Sequence, residues 1–418
     1  MSGFRRDAQG VATLGGGSLQ ELRRSAGVPS PAYFYDVTGM AEGARALVGA
    51  FSGRKGLVAY AMKANSAGSI LRAFKAAGTG ADIVSGAELE VAIGAGIEPR
   101  QIVMSGVAKA DWEMDLALGT GIRALQLESV EEVDRLAARA RAVGKQGRVS
   151  LRIKPGVGID SHAHIATGHD EAKFGIAIGD LPAAYAALDR HSDVLDHVGF
   201  SVHVGSMMTD PTPYLAAARV VCDVARARRA SGRSLEFIDF GGGYGIDYGG
   251  KPAEPAPRFV AAAFELLDEC GLSDLELVIE PGRSLVAPYG VLVASVLQSK
   301  QSGDRRWIMI DAGMNDLIRP ALYGARHRIE PLDRPPGGTE WRVVGPVCES
   351  SDDFGFHALG EVPPAEVAIR DAGAYSFAMA SEYNGRPLPA EVFVVEGRVQ
   401  MVSPSPGRNS WVTRRLEA

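Results

Sequence analysis

Lys63 stands near the end of an apolar run, "LVAYAMKAN", that otherwise reads as buried strand. Burying an ammonium is costly unless it is paired or deprotonated, and a desolvated lysine is a better amine nucleophile than an exposed one. The plain alternative is a stem that snorkels and keeps its charge in water. "DFGGGYG" sets Gly241, Gly242 and Gly243 in succession. Bare backbone of that kind can lie against a phosphate at a helix start, or it can be a tight turn; the spacing is not the G-x-G-x-x-G dinucleotide fingerprint. His203 in "FSVHVGS" is either a site residue or a satisfied core histidine, and Glu280 in "EPGR" either a functional acid or the cap of a turn at Pro281 and Gly282, ahead of Arg283. His162, His164 and His169 cluster in "SHAHIATGH", but no ligand geometry supports a metal site, and none is expected. Cys222 and Cys270 fall on apolar helix stripes and read as core. Cys348, in "GPVCESSD", sits on no such stripe and is the cysteine available for chemistry.

These groups need a scaffold, and the chain has a regular one. From about residue 36 to residue 283, short apolar runs end in Gly or Ser loops and helical patterns follow each. The runs are "LVAYAMKAN", "GADIVS", "IVMSG", "ALQLES", "RVSLRIKP", "HVGFSVHVGS", "EFIDFGGG" and "ELVIEPGR". Strands that are continuously apolar are buried on both faces, as in a parallel sheet. Eight strand–helix units over roughly 250 residues is the usual size of a (β/α)8 TIM barrel, with a doubly wound open sheet as the alternative. In the barrel reading the polar residues collect at the C-terminal strand ends, where such folds build their sites. Lys63 ends the first strand, Asp82 and Ser85 the second, and Arg152 and Lys154 the fifth. His203 and Ser206 end the sixth, Gly241–Gly243 the seventh, and Glu280 with Arg283 the eighth.

After Arg283 the rhythm changes. "VLVASVLQSK", "RWIMIDAG", "EWRVVGPV", "EVAIRDAG" and "AEVFVVEGRVQMV" are strands divided by polar turns, which reads as an antiparallel β-barrel domain. The expected division is a barrel over 36–285 and a β domain built from 1–35 and 286–418.

Composition narrows the function classes. The 418 residues carry a formal charge of −6, which argues against a nucleic-acid surface. The basic run "RARRA" at Arg226 lies on an amphipathic helix and reads as a solvated face. No apolar run is long enough to span a bilayer, and the first residues lack the apolar core of a secretory signal. Three dispersed cysteines fit a reducing cytoplasm.

In order along the chain, "YAMKAN", "ADIVSGAELE", "FSVHVGS", "DFGGGYG", "EPGR", "GPVCESSD" and "DAGAYSFAMASEYNGRPLPAEV" resemble the fold-type-III decarboxylases that use pyridoxal 5′-phosphate. The resemblance implies an alanine-racemase-like barrel with a C-terminal β domain, and a homodimer with shared active sites. It implies that Lys63 joins the cofactor through its amine, that Gly241–Gly243 cradle the phosphate with Ser206 and Tyr375, and that His203 stacks on the ring. Glu280 would hold the ring nitrogen, with Pro281, Gly282 and Arg283 completing the motif. Arg283, Arg319, Tyr323 and Tyr375 would bind substrate. Cys348, as proton donor, and Glu349, as a counter-charge, would come from the other subunit. Asp82, Glu88 and Arg152 match positions lining the cofactor. The implied reaction is decarboxylation of meso-2,6-diaminopimelate to L-lysine and CO2. A decarboxylase of ornithine, lysine or arginine type and a non-catalytic cofactor-binding regulator are the alternatives. "IRPALY", with Arg319, favours the dicarboxylate substrate, because a second arginine would repel a bare ammonium. The sequence departs from the family pattern at Lys154, Arg326 and Glu382.

Overall fold

The computed structural model describes residues 3–156 and 173–418, so the histidine cluster at 162–169 lies outside the described residues. The chain divides into two compact units. One comprises Ala44–Ile246 with Pro252–Ser284; the other comprises Met1–Gly43, Asp247–Lys251 and Leu285–Ala418.

The first unit is a closed barrel of eight parallel strands. They are β1 (Gly56–Ala61), β2 (Gly80–Ile83), β3 (Ile102–Met104), β4 (Ala124–Leu127), β5 (Gly147–Lys154), β6 (Leu195–Ser201), β7 (Phe237–Asp239) and β8 (Glu276–Ile279). Each pairs with its successor and β8 returns to β1, so the ring has no open edge. Leu57, Ala59, Val103, Ala124, Val198, Phe237 and Val278 form one apolar cluster. Side chains from six strands of a ring can meet in this way only inside it, so the barrel is packed rather than hollow.

Strand ends are fixed by the helices that follow. Ser85 Oγ accepts the Glu88 N–H at 3.2 Å, while Glu88 Oε2 accepts the Val84 N–H at 2.7 Å. Ser129 and Glu132 repeat the arrangement, with Glu132 Oε2 on the Glu128 N–H at 2.8 Å. Both are S-x-x-E caps that satisfy orphan donors of a first turn. Ser85, read from sequence as part of the barrel mouth, is therefore a helix cap. The "RARRA" face also needs correction. Arg228 is buried, with its guanidinium 4.2 Å from the Tyr185 ring centroid and 3.4 Å from Asp189. Its aliphatic stem lets it pack as a core residue while the charge finds a partner.

The second unit is built on a sheet ordered Asp353–Ala358, Glu340–Val344, Arg305–Ile310, Gly290–Ser302, Ala32–Asp36, Ala390–Val395, Arg398–Ser403. The sheet is mixed, where the sequence reading expected an antiparallel one. Arg305–Ile310 runs parallel to Glu340–Val344, and Ala32–Asp36 parallel to Ala390–Val395. Short polar turns make antiparallel hairpins, but these two pairs are joined by long connections, which permit parallel pairing. Phe34, Val291, Val293, Ala368, Val392 and Val394 anchor its core. A C-terminal helix, Gly407–Leu416, was not anticipated from the sequence. No helix among the described residues is long and apolar enough to cross a membrane.

Candidate active site at the C-terminal end of the barrel

Lys63 sits just beyond β1, in the short helical turn Met62–Ala64. Its Nζ donates to Asp82 Oδ2 at 2.7 Å, and Asp82, fully buried, accepts from Ser105 Oγ at 2.6 Å through its other oxygen. The ammonium near the end of an apolar strand is thus an ion-pair partner for a buried acid. Its side chain remains 35% exposed, so the amine is held but reachable.

The glycine run follows β7 and is wedged between strand ends. A Cβ at Gly242 would lie 1.9 Å from the Glu280 carbonyl oxygen, and one at Gly243 would lie 2.2 Å from that of Gly205. Gly241 and Gly243 also hold φ of +69° and +98°, the left-handed region that favours glycine. The Gly241 carbonyl accepts the Glu280 N–H at 2.9 Å, tying the loop to the end of β8. Ser206 Oγ accepts from Arg283 Nη2 at 3.1 Å, so Ser206 and Arg283 meet beside it.

His203 Nδ1 accepts the Gly242 N–H at 3.3 Å. Burial, then the charges of Arg152 and Lys63, hold its pKa well below the usual histidine value, so the imidazole is neutral. Arg152 Nη1 donates to Glu128 Oε1 at 2.8 Å, and Glu128 Oε2 accepts the Gly175 N–H at 2.8 Å.

Glu280, just past β8, is buried, and burial followed by repulsion from Asp239 and Asp82 raises its pKa well above the ordinary value. Gln126 Nε2 donates to Glu280 Oε1 at 3.0 Å and to Asp239 Oδ2 at 2.8 Å. Asp239 Oδ1 accepts the Gly241 N–H at 2.8 Å. Sequence reasoning missed Gln126, Glu128 and Asp239. The signal was a polar residue inside or ending an apolar barrel run, "ALQLES" and "EFIDFGGG".

Pro281 and Gly282 complete the turn after Glu280, and the Pro281 carbonyl accepts the Ala61 N–H at 3.0 Å. Glu88 is partly buried and its pKa raised, chiefly by burial. Lys154 closes β5. Lys63, Asp82, Arg152, His203, Ser206, Gly241–Gly243, Glu280 and Arg283 therefore all lie at one end of one barrel.

The remaining expected residues belong to the second unit. Arg319 and Tyr323 bound one short helix. Arg319 is buried, donates from Nη1 to His327 Nε2 at 2.7 Å, and lies 4.7 Å from the Tyr248 ring centroid. His327 Nδ1 meets the Arg370 carbonyl at 2.8 Å and must donate there, which leaves Nε2 as the acceptor. Cys348 is exposed, and its N–H donates to Asn384 Oδ1 at 2.9 Å. Glu349 accepts from the Tyr383 hydroxyl at 2.5 Å. Tyr375 holds a φ of +54°, strained backbone for a residue with a side chain. Of the departures, Arg326 is exposed, and Glu382 is engaged by Arg414 Nη2 at 2.7 Å. Among the described residues no group of three or more His, Cys, Asp or Glu is placed to hold a metal ion.

Residues 40–287 match the family model described as pyridoxal-dependent decarboxylase, pyridoxal binding domain. The diaminopimelate decarboxylase of Zymomonas mobilis is 42% identical over 371 residues, 87% of each chain. That of Helicobacter pylori is 38% identical over 378 residues, 89% of this chain and 92% of the relative. The crystal structure of diaminopimelate decarboxylase from Helicobacter pylori complexed with L-lysine superposes with a TM-score of 0.89 at 36% identity, covering 95% of this chain and 99% of the other. The chain belongs to the pyridoxal-dependent decarboxylases, among the diaminopimelate decarboxylases.

Proposed function

We propose that the protein is a carboxy-lyase that uses pyridoxal 5′-phosphate to convert meso-2,6-diaminopimelate to L-lysine and CO2. One observation carries this reading: an amine, a glycine cradle and a buried acid converge at one end of one barrel, as Lys63, Gly241–Gly243 and Glu280. The residues fit the cofactor. A loop with no room for Cβ atoms lets backbone approach a phosphate closely, and the Ser206 hydroxyl can add a donor. When bound, pyridoxal phosphate supplies the electron sink that takes up the charge left at Cα as CO2 departs.

The chain's own groups do the rest. Lys63, held by Asp82, would be the residue whose amine takes up the cofactor. Neutral His203 would offer the ring a flat face without adding positive charge. Glu280 would hold the ring nitrogen, and an anion there would favour the protonated ring. Pro281 and Gly282 hold the turn that delivers Glu280 and Arg283. We assign Arg283, Tyr323 and Tyr375 to contact with substrate or phosphate, and Arg319 to the distal carboxylate. A guanidinium braced on His327 and Tyr248 is suited to paired bonds with a carboxylate. The Cys348 thiol is exposed and can donate a proton to Cα, with Glu349 beside it as the counter-charge for the distal ammonium. Following the family pattern, we infer a homodimer in which Cys348 and Glu349 serve the other subunit's site. Three free cysteines support a cytoplasmic location.

The test is CO2 release from meso-diaminopimelate, ornithine, lysine and arginine, with borohydride used to fix the cofactor. The expected result is release from meso-diaminopimelate and a label on Lys63. Release from ornithine or lysine, with none from diaminopimelate, would overturn the substrate assignment.

A further inference from the structure

We propose that Asp239 is a positioning residue that shares one proton with Glu280 and so sets the charge Glu280 presents to the cofactor's ring nitrogen. The inference rests on the reading of the site given above. Asp239 ends β7, is fully buried, and is fixed on both oxygens. Oδ1 accepts the Gly241 N–H at 2.8 Å and Oδ2 accepts Gln126 Nε2 at 2.8 Å. The same Gln126 nitrogen reaches Glu280 Oε1 at 3.0 Å. Both N–H bonds of one amide are thus spent on two acids, and the amide holds the acids beside each other. Two carboxyl oxygens gathered on one amide nitrogen, at 2.8 and 3.0 Å, bring the two acids close enough to compete for a single proton.

The surroundings favour that proton. Asp82, from β2, adds a third carboxylate whose charge raises the pKa of Glu280. The Lys63 ammonium is in range of Glu280 and is bound to Asp82 at 2.7 Å. Like charges packed this closely out of water cannot both ionise cheaply, so the pair behaves as one monoanion. The ring nitrogen is a base brought against that monoanion. The O–H bond of the pair breaks and the N–H bond of the ring forms. The pair then becomes a dianion, stabilised by the new positive charge. A lone Glu280 would hold its proton less tightly and also face the ring alone, with half the counter-charge. Asp239 additionally grips the Gly241 N–H, so the groups that hold the phosphate and the ring nitrogen share one residue.

The experiment reads the carboxylic-acid C=O stretch by infrared difference spectroscopy at pH 8, on apoprotein with and without added pyridoxal phosphate. In the wild type, cofactor addition is expected to remove one carboxylic-acid band. In Asp239→Asn that loss is expected to vanish, and the absorbance of the bound cofactor is expected to titrate at lower pH than in the wild type. A residue that only shaped the loop would move neither. A wild-type band that survives cofactor addition, or an unchanged loss in D239N, overturns the proposal. If D239N does not fold, the wild-type difference spectrum decides alone. Apoprotein that takes up no cofactor at all would instead defeat the reading of the site itself.

Discussion

Removing the Arg152 charge should destabilise the barrel near β5 by about 3 kcal/mol, the low end of the ~3–5 kcal/mol range for breaking a buried ion pair from one side. The pair is 2.8 Å apart, with side chains 8% and 4% exposed. In Arg152→Met the stem stays and the charge goes, leaving Glu128 with the Gly175 N–H as its donor at 2.8 Å. That surviving bond is why the low end applies. Adding Glu128→Gln removes the stranded anion, so the double variant should recover most of the loss, with a coupling energy of at least ~2 kcal/mol. Because the chain has two units, a single unfolding midpoint would mix them. Hydrogen exchange of peptides covering β4 and β5 reads the affected unit directly. The same variant should raise the pKa of His203, because burial persists while the Arg152 repulsion is gone. A coupling energy below ~1 kcal/mol, the range of exposed pairs, would refute the claim that this pair is dry.

Three further outcomes are expected. Gly242→Ala places a Cβ 1.9 Å from the Glu280 carbonyl oxygen, so the loop must move, and cofactor titration should show weakened binding while far-ultraviolet circular dichroism is retained; unchanged affinity would remove the cradle assignment. Burial pushes the Glu391 carboxyl up to about 7, against the opposing hydrogen bond from Tyr35, so the folded chain keeps a proton that the unfolded chain releases near pH ~4.3. The stability this proton confers is complete below that pH and is lost as pH rises through 7. Glu391→Gln should therefore gain up to about 3 kcal/mol relative to wild type between pH ~4 and pH ~9, measured by urea unfolding, and a pH-independent difference would contradict the assignment. Arg319→Met should raise KM for diaminopimelate about a hundredfold, from ~3 kcal/mol of lost charge-assisted bonding, and an unaltered KM would exclude a distal-carboxylate role.

The barrel was readable because its signals are local. Strands buried on both faces show as apolar runs, and each S-x-x-E cap marks where a run must end. The mouth was readable for the same reason: Lys63, His203, the glycine run and Glu280 each interrupt an apolar pattern at a strand end. What escaped depends on closure of the ring. Gln126 on β4 bridges Asp239 at the end of β7 and Glu280 after β8, and no spacing along the chain reports that meeting. The mixed sheet escaped similarly, since Ala32–Asp36 pairs with Ala390–Val395 from the opposite end of the sequence. Arg228 was misplaced because charge pattern alone does not reveal the Tyr185 ring beneath its guanidinium. The helix Gly407–Leu416 carries no buried residue, so it had no apolar stripe to announce it.

The charges at the barrel end also explain why the site wants a zwitterionic aromatic ligand. Asp82, Asp239 and Glu280 crowd the buried side, with Lys63 the cation that offsets them there. Arg152 is bound to Glu128, and Arg283, also buried, donates to Ser206 Oγ. The buried end is therefore short of positive charge, and the glycine-loop end is rich in donors. A ligand with a protonatable nitrogen at one end and a phosphate at the other corrects both imbalances at once. A neutral ligand of the same shape would leave the acid pair still holding its proton. On this argument ring-nitrogen basicity should govern affinity. Replacing pyridoxal phosphate with its benzene analogue, which lacks the nitrogen, should weaken binding far more than its unchanged phosphate contacts would suggest. Equal affinity for the two would show that the buried acids do not contribute to holding the cofactor.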